Sequence, residues 1–386
     1  MEAENRERRI KIERHSDVSL WFALLFLIAF GLIMIYSASS YTAFNDYNDQ
    51  AYYLKRQAIA AAIGLVAMIV VSRIPYHFWE RFALLGYMAS VVLIFMVLTP
   101  LGVESHGARR WIALPGMRGF NLQPAEVAKV AMILFLAVLV CKMGSAVRTL
   151  KGFAIMIGAP LPIAVLIWKV TDNLSSALIV MAIAALMIFV ASPDYKKFII
   201  LVLLVAAAAI GLVLLIKYTD VLGSFRAKRI RVWLDPESDA DDTGFQTLQA
   251  LYAIASGGIW GKGLGQSMQK LSFLPESQND MIFSIICEEL GLFGAAAIML
   301  MFVLLIWRMM IIANNAPDLF GGMLVVGVIG HIAVQAILNI AVVTNTIPNT
   351  GISLPFISYG GSAIIFLLIE MGLVLSVARG IEYRGS

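Results

Sequence analysis

Residues 18–38, VSLWFALLFLIAFGLIMIYSA, decide the fold, because they form an apolar run without a charged side chain. A run of about 20 apolar residues is long enough for a helix to cross the hydrocarbon core of a bilayer. The basic segment RERRIKIERH (6–15) precedes the run, and no small-residue cleavage site follows it. The run is also longer than the apolar core of a signal peptide. We therefore predict a first membrane-spanning helix that is retained in the protein.

The whole chain shares this apolar character. Of its 386 residues, 60% are hydrophobic and 14% are charged, and the mean hydropathy is +0.84. A soluble domain has about 45–50% apolar and about 25% charged residues, so the composition excludes a soluble enzyme, a disulfide-stapled secreted domain and a disordered chain. A net charge of +4 is too small to indicate a nucleic-acid partner, and the two cysteines have no disulfide or metal-ligand spacing.

Ten apolar segments predict an all-α polytopic membrane protein with about ten transmembrane helices. The segments are 18–38, 56–72, 81–99, 125–143, 152–170, 174–192, 198–217, 281–307, 320–344 and 360–379. Lys and Arg are concentrated in the N-terminal tail and in the short loops on its side of the membrane, a bias that marks the cytoplasmic side. We therefore predict two cytoplasmic termini: a basic tail 1–17 and a tail 381–386, with a single transmembrane domain, 18–380, between them.

Three longer segments, 100–124, 218–280 and 345–359, fall on the opposite, extracytoplasmic side, with the largest between helices 7 and 8. A membrane protein that concentrates irregular backbone on one face is expected to work at that face. In the largest segment, SFRAKRIRVWLDPE (224–237) interleaves basic and apolar residues and predicts a short amphipathic helix at the membrane surface. GFQTLQALYAIASGG (244–258) has helical spacing, and the glycines that follow predict tight turns.

A few ionisable groups lie where the bilayer is expected, and such groups are functional candidates by default. Glu126 and Lys129 share a helix face at i and i+3, either as an ion pair that locks two helices or as charges that handle an anionic headgroup. Asp280, in FLPESQNDMIF (273–283), has apolar neighbours that should raise its pKa and suit a general base. A helix N-cap explains an aspartate there equally well. Glu288 and Glu289 are interpreted as structural.

Polar residues also follow one face of the ninth predicted helix. His331, Gln335 and Asn339 are one turn apart, and a stripe of this kind is typical of interhelical hydrogen bonding. The next segment, NTIPNTGISLPFISYGGSA (345–363), contains two prolines and three glycines. It cannot be a regular helix, so it is predicted to be an outer turn or a re-entrant piece that lines a cavity.

The stretch GISLPFISYGGSA (351–363) closely resembles the signature of the SEDS family, the shape, elongation, division and sporulation proteins typified by FtsW, RodA and SpoVE. Other stretches resemble family motifs in the same order over nearly the whole chain. They are GLIMIYSASS (31–40), RRWIALPG (109–116), QPAEVAK (123–129), RIRVWLDPE (229–237), GKGLGQSMQK (261–270) and FLPESQNDMIF (273–283).

The resemblance implies a peptidoglycan glycosyltransferase that polymerises lipid II into β-1,4-linked glycan strands at the outer face of the bacterial cytoplasmic membrane. It implies inversion, with polyprenyl pyrophosphate as the leaving group. The implied partners are lipid II, the nascent glycan strand, a class B penicillin-binding protein as transpeptidase, and other divisome membrane proteins. Overall similarity favours the division-type branch and therefore the septum.

By resemblance, Asp280 matches the family's catalytic aspartate, and Glu126 and Lys129 match its helix-4 ion pair. The remaining candidates lie in motifs around the implied substrate cavity or in the signature loop: Arg109, Lys270, Glu276, Ser358, Gly360 and Gly361. A departing pyrophosphate needs positive charge, for which Arg109, Arg110, Lys129 and Lys270 are candidates.

One motif departs from the family pattern, and several interpretations stay open. DNLSSA (172–177) replaces the common PDLGTA, which places Asn173 where the family has an aspartate, so that aspartate's role does not carry over. A lipid II flippase, an elongation-type polymerase and a scaffold for a penicillin-binding protein are the alternatives. No metal site is identified, since the acidic run 235–242 is interpreted as solvated, but Mg²⁺ or Mn²⁺ is left open as a cofactor.

Overall fold

The computed structural model of the protein describes residues 18–105, 107–113, 121–192, 195–218, 225–239, 243–271 and 273–381. The predicted tail 1–17, nearly all of the tail 381–386 and residues 240–242 of the acidic run lie outside them. The first helices are α1 (Val18–Tyr47), α2 (Tyr52–Arg73), α3 (His77–Glu80), α4 (Ala83–Met96), α5 (Pro124–Met143), α6 (Leu150–Gly158) and α7 (Leu161–Val170). The later helices are α8 (Leu174–Ala191), α9 (Tyr195–Tyr218), α10 (Phe225–Leu234), α11 (Thr243–Gly257), α12 (Ile282–Asn314), α13 (Leu319–Val343) and α14 (Gly361–Arg379).

The predicted polytopic helical class is confirmed. Among the described residues, nine helical stretches are long and apolar enough to cross a membrane. The predicted third span is the exception, because α4 has 14 residues, or about 21 Å at 1.5 Å per residue. The predicted fifth span consists of α6 and α7, separated at Pro160, since proline lacks the N–H that would continue the helix.

A small antiparallel sheet, which the sequence pattern did not predict, lies between α4 and α5. Its strands are β1 (Gly102–Ser105), β2 (Ala108–Ala113) and β3 (Asn121–Leu122), in the order β1-β2-β3. Val103 pairs with Trp111 and Glu104 with Arg109, with an irregularity between the two pairs. Strands this short leave too few alternating positions for a periodicity to be recognised.

The long segment between α9 and α12 contains the two helices that were predicted there, α10 and α11. Lys228 Nζ of α10 lies 3.0 Å from Asp239 Oδ2, so part of the acidic run is ion-paired. The turns predicted after α11 are confirmed, since the glycines at 258, 261, 263 and 265 all have positive φ.

The helix α12 is interrupted at Gly291, where the backbone has the non-helical angles φ 65° and ψ −165°. This point is nine residues from the start of the helix, about 14 Å along its axis. The break frees the carbonyls of Glu288 and Glu289, which accept from the N–H groups of Lys262 (3.0 Å) and Gly263 (2.9 Å). Backbone polar groups at membrane depth must find partners inside the protein, and here the turns after α11 supply them.

The reverse bonds complete this junction. The N–H groups of Leu292 and Phe293 donate to the carbonyls of Gly258 (3.0 Å) and Ile259 (3.3 Å). The two backbones approach so closely that a Cβ on Gly291 would lie 2.4 Å from the Ile259 carbonyl oxygen. The junction therefore fixes residues 258–263 against the first part of α12, and residues 273–281 lead from there into the start of that helix.

Gly291→Ala is expected to lower the free energy of unfolding by roughly 2–4 kcal/mol, because alanine is strained at positive φ and its methyl group collides with backbone. The measurement is the thermal unfolding midpoint of the purified protein in detergent. The matched control is Gly211→Ala in α9, where a Cβ meets nothing within 4 Å and alanine favours the helix by about 1 kcal/mol. Equal midpoints for Gly291→Ala and the native protein would contradict the close approach.

Candidate active site

Segments far apart in sequence meet at one end of the helical bundle. Ser175 Oγ, in the first turn of α8, donates to the Thr350 carbonyl at 2.5 Å. Trp233 Nε1 of α10 donates to the Asn345 carbonyl at 3.0 Å. Tyr359 N donates to the Gln278 carbonyl at 2.9 Å. Described parts of the predicted irregular segments 218–280 and 345–359 therefore contact each other at this end of the bundle, which we call the loop end; its extracytoplasmic orientation stays a prediction.

Asp280 lies at the centre of the loop end, where α13 holds its backbone. Asn339 Nδ2 donates to the Asp280 carbonyl and to the Ile352 carbonyl, both at 2.7 Å. One amide thus ties the return of the long segment to the signature loop. Met281, and not Asp280, occupies the N-cap position of α12, so a capping role does not explain the aspartate.

The Asp280 carboxyl group is poised to exchange a proton. The side chain is half-buried, and its Oδ1 atom is buried without a hydrogen-bond partner. Burial, and then the negative charge of Glu276, raise the pKa of Asp280 to about 7, against a weaker lowering by Arg229. A carboxylate that is half-protonated near neutral pH suits general-base chemistry.

Glu276 faces this carboxylate from a strained turn. Its φ of 54° is unusual for a residue with a side chain, and Asn279 Nδ2 donates to Glu276 Oε2. Strain of this kind is kept only where the surrounding structure holds it. The Glu276 charge lies close enough to raise the pKa of Asp280, while its predicted role in a substrate cavity stays a prediction.

Arg229 brings positive charge close to the Asp280 carboxyl group. Its Nη1 donates to the Asn349 carbonyl at 3.1 Å, and Asn349 Oδ1 accepts from Gly351 N at 3.0 Å. Gly351 lies beside the aspartate, since a Cβ on it would be 3.7 Å from Asp280 Oδ2. The sequence placed Arg229 on an amphipathic surface helix, and no local signal indicated this position.

A cavity of about 230 Å³ lies next to Arg229. It is lined by Arg229, Val232, Trp233, Gln246, Thr247, Pro275, Asn345 and Asn349. An arginine, an aromatic ring and three carboxamides are groups that can bind a polar, anionic headgroup.

Glu126 and Lys129 form the predicted ion pair, and its partner helix is α13. Lys129 Nζ lies 2.8 Å from Glu126 Oε1 and donates to Gln335 Oε1 at 3.2 Å. Both charged side chains are buried. Gln335 Nε2 in turn donates to the Ser353 carbonyl at 3.0 Å, so the pair links α5 and α13 to the signature loop.

The predicted interhelical role of the α13 stripe is confirmed, with a partner that the sequence interpretation missed. His331 Nδ1 lies 2.7 Å from Glu370 Oε2 of α14, and His331 Nε2 lies 2.9 Å from Gln335 Oε1. Glu370 is fully buried. The rule that singled out Glu126, an ionisable residue inside an apolar span, would also have found Glu370.

Lys270 is buried at the α12 junction, where its charge is matched. Its Nζ lies 2.9 Å from Glu289 Oε1 and 3.1 Å from Ser37 Oγ of α1. Ser37 also donates to Glu289 Oε1 at 2.7 Å. These contacts join α1, the long segment and α12.

Glu288 makes a second set of buried contacts beside those of Glu289. Its carboxylate lies 2.6 Å from Lys262 Nζ and accepts from Ser267 Oγ at 2.5 Å and Met268 N at 3.1 Å. Glu288 and Glu289 are both fully buried, and their contacts fit the structural role predicted for them. A buried carboxylate needs partners of this kind.

The two sheet arginines differ in their contacts. Arg109 Nε lies 3.7 Å from Glu104 Oε2 on the exposed sheet surface. Arg110 Nη2 donates to the Asp172 carbonyl at 3.1 Å, which ties the sheet to the turn before α8. At the altered motif, Asn173 Oδ1 accepts from Ser176 N at 3.0 Å and caps α8.

The signature-loop residues Ser358, Gly360 and Gly361 brace the loop against α2. Ser358 Oγ accepts from Leu354 N at 2.7 Å. Gln57 Nε2 donates to the Ser358 carbonyl at 3.3 Å, and Gln57 Oε1 accepts from Gly360 N at 3.1 Å. Gly361 then begins α14.

Within the ranges that the structure describes, no group of three or more His, Cys, Asp or Glu side chains is arranged to hold a metal ion.

Known proteins resemble this chain over nearly its whole length. The family model described as Cell cycle protein, FTSW_RODA_SPOVE, matches residues 17–383. Stage V sporulation protein E of Bacillus subtilis is 40% identical over 369 residues, covering 95% of this chain and 98% of that protein. A probable peptidoglycan glycosyltransferase FtsW of Trichlorobacter lovleyi is 38% identical over 368 residues, covering 95% and 94%.

Solved structures of similar proteins also match nearly the whole chain. RodA of Thermus thermophilus superposes with a TM-score of 0.66 at 25% identity, covering 96% of this chain and 98% of that one. A chain of a solved peptidoglycan synthase complex superposes with a TM-score of 0.73 at 26% identity, covering 94% and 98%. With a family model that matches nearly the whole chain, the chain belongs to the FtsW, RodA and SpoVE family of cell cycle proteins.

Proposed function

We propose that this membrane protein is a peptidoglycan glycosyltransferase that polymerises lipid II into β-1,4-linked glycan strands at the outer face of the bacterial cytoplasmic membrane. The observation that carries the proposal is the Asp280 carboxyl, half-buried beside the signature loop, with its pKa raised to about 7 and its Oδ1 atom without a partner. Relatives named as peptidoglycan glycosyltransferases support the reaction class.

Asp280 serves as the general base in this proposal. The carboxylate accepts the proton of the acceptor's 4-hydroxyl group as that oxygen attacks the anomeric carbon. The bond from this carbon to the pyrophosphate breaks, and polyprenyl pyrophosphate leaves with the electron pair. Attack from the opposite side converts the α-linked donor into a β-linked product.

Arg229 is the cation best placed to stabilise the leaving group. Arg229 borders the cavity of about 230 Å³, where a pyrophosphate would accept its N–H groups, and its charge also acts on the Asp280 carboxyl group. Charge that develops in the transition state is stabilised by such donors.

The biological setting of the reaction is also proposed. Several relatives are named FtsW, which supports septal synthesis as part of cell division. The similarity to a chain of a peptidoglycan synthase complex supports a crosslinking partner, which we propose to be a class B penicillin-binding protein. Other divisome membrane proteins are proposed as further contacts.

Asp280→Asn should lower the rate of lipid II polymerisation by about 10²–10⁴-fold, the usual contribution of a general base. The measurement is the amount of glycan strand that the purified protein makes from lipid II, separated on gels, with and without its transpeptidase partner. Each reaction is repeated with EDTA, because a role for Mg²⁺ or Mn²⁺ stays a prediction. Asp49→Asn is the control, since Asp49 is a partly exposed aspartate paired with Lys55, and its replacement should leave the polymerisation rate unchanged.

One result would contradict the role of Asp280, and another would contradict the polymerase activity itself. A near-normal rate for Asp280→Asn would exclude Asp280 as the base. An inactive native protein that instead moves lipid II headgroups across liposome membranes would identify a flippase.

The polymerisation rate should depend on pH through Asp280. A general base acts when deprotonated, so a pKa of about 7 predicts that kcat/KM rises tenfold per pH unit below that value and becomes constant above it. Rates are measured between pH 5.5 and 8.5 in one detergent. A flat profile across this range would contradict the assignment.

Arg229→Gln should lower kcat by about 10–100-fold, because a charge-assisted contact is worth about 1.5–3 kcal/mol. The control is Arg379→Gln, which also removes an arginine–carbonyl bond (3.2 Å, to Ser72) but belongs to the last turn of α14, far along the helix from the signature loop. Equal rates for the two variants would assign the leaving group to another cation.

A further inference from the structure

Four buried polar side chains form a continuous hydrogen-bonded chain across three helices. Glu370 Oε2 of α14 lies 2.7 Å from His331 Nδ1, and His331 Nε2 lies 2.9 Å from Gln335 Oε1. Lys129 Nζ of α5 donates to the same oxygen at 3.2 Å. We call this set the polar chain. Its inner end, Glu370, is nine residues past the start of α14, about 14 Å along the helix axis and thus near the bilayer centre.

The donors and acceptors at each contact determine the orientation of the groups in the polar chain. Gln335 Nε2 donates to the Ser353 carbonyl, which can only accept, so Gln335 Oε1 faces His331. Because that oxygen also only accepts, His331 Nε2 must carry a hydrogen. The short contact between His331 Nδ1 and Glu370 Oε2 then holds one proton, on one atom or the other. Gln335 therefore requires the hydrogen on His331 Nε2, and the contact with Glu370 holds the imidazole ring in the orientation that points Nε2 at Gln335.

Stability alone does not explain these groups. All four side chains are buried, and Glu370 Oε1 has no hydrogen-bond partner. A buried ionisable pair is often no more stabilising than apolar side chains of similar volume. Polar groups inside the bilayer are expensive, and they are by default functional candidates.

The outer end of the polar chain reaches the candidate active site. Gln335 holds both the Lys129 ammonium and the Ser353 carbonyl. One turn further along α13, Asn339 holds the carbonyls of Ile352 and Asp280. Any rotation of the Gln335 carboxamide would release Ser353, whose neighbour Ile352 shares the Asn339 amide with Asp280.

We propose that Glu370 and His331 are positioning residues for glycan polymerisation: from the membrane interior they fix the Gln335 carboxamide, which binds the Lys129 ammonium and holds the signature loop in place beside Asp280. The inference rests on the proposed function, because the reaction that is positioned is polymerisation. Both side chains are fully buried, and their action on the reaction runs through Gln335.

The first test compares two replacements of Glu370. Glu370→Gln keeps a donor for His331 Nδ1 and should retain kcat within about threefold. Glu370→Leu removes that contact and should lower kcat by about tenfold or more, with KM changed by less than about threefold. Ser376→Ala is the matched control, since it removes a buried hydrogen bond of the same helix (2.6 Å, to the Ile74 carbonyl) outside the polar chain; its kcat should be unchanged.

A double variant separates positioning from stability. His331→Leu combined with Glu370→Leu replaces the pair by apolar groups, which should restore the thermal midpoint but leave kcat reduced by about tenfold, because Gln335 still lacks its partner. Recovery of both the midpoint and kcat would overturn the proposal, since the pair would then only stabilise the fold. The double variant also serves if Glu370→Leu alone fails to fold.

Hydrogen–deuterium exchange provides a readout that does not need activity. Faster exchange of residues 350–358 in the double variant, and unchanged exchange in Ser376→Ala, is the expected result. Unchanged exchange in the double variant would overturn the inference, whatever the rates. An inactive native protein would refute the proposed function alone, because the exchange experiment would still report on the signature loop.

Discussion

Four backbone hydrogen bonds join residues 258–263 to the break in α12 at Gly291. A helix that breaks at membrane depth leaves N–H and C=O groups that neither lipid nor water can satisfy. Because one short stretch of the long segment supplies all four partners, its position is set relative to α12. The loop that carries Asp280 follows directly, so the geometry of the candidate site depends on this junction.

A second constraint acts from the opposite side of the site. The polar stripe of α13 binds the signature loop through Gln335 and Asn339, and Asn339 also binds the backbone of Asp280. The signature loop contains prolines and glycines and has few backbone bonds of its own, so side-chain amides determine its path. Asp280 is thus held between a backbone junction and a side-chain stripe, while its own carboxyl group keeps an unpaired oxygen.

Much of this fold could be predicted from local pattern. Apolar runs of about 20 residues specify spans wherever they occur, and the α10 and α11 helices and the turns after them follow from spacing and glycine content. The shortness of α4, the small sheet and the break at Gly291 could not be predicted. Each depends on what packs beside it: Gly291 looks like any other glycine in an apolar run until the turns after α11 lie against it.

The sequence by itself determined that this is a polytopic helical membrane protein, which ionisable residues lie inside its spans, and which stretches carry the family motifs. Those properties are local, because they depend on composition and on spacing within one helix or loop. Only the tertiary structure decided which groups these charged side chains meet. Lys270 meets Glu289 and Ser37, Arg229 borders a cavity together with Asn349, and Glu370 meets His331. These partners belong to different helices, and no periodicity within a single segment records which helices will pack together.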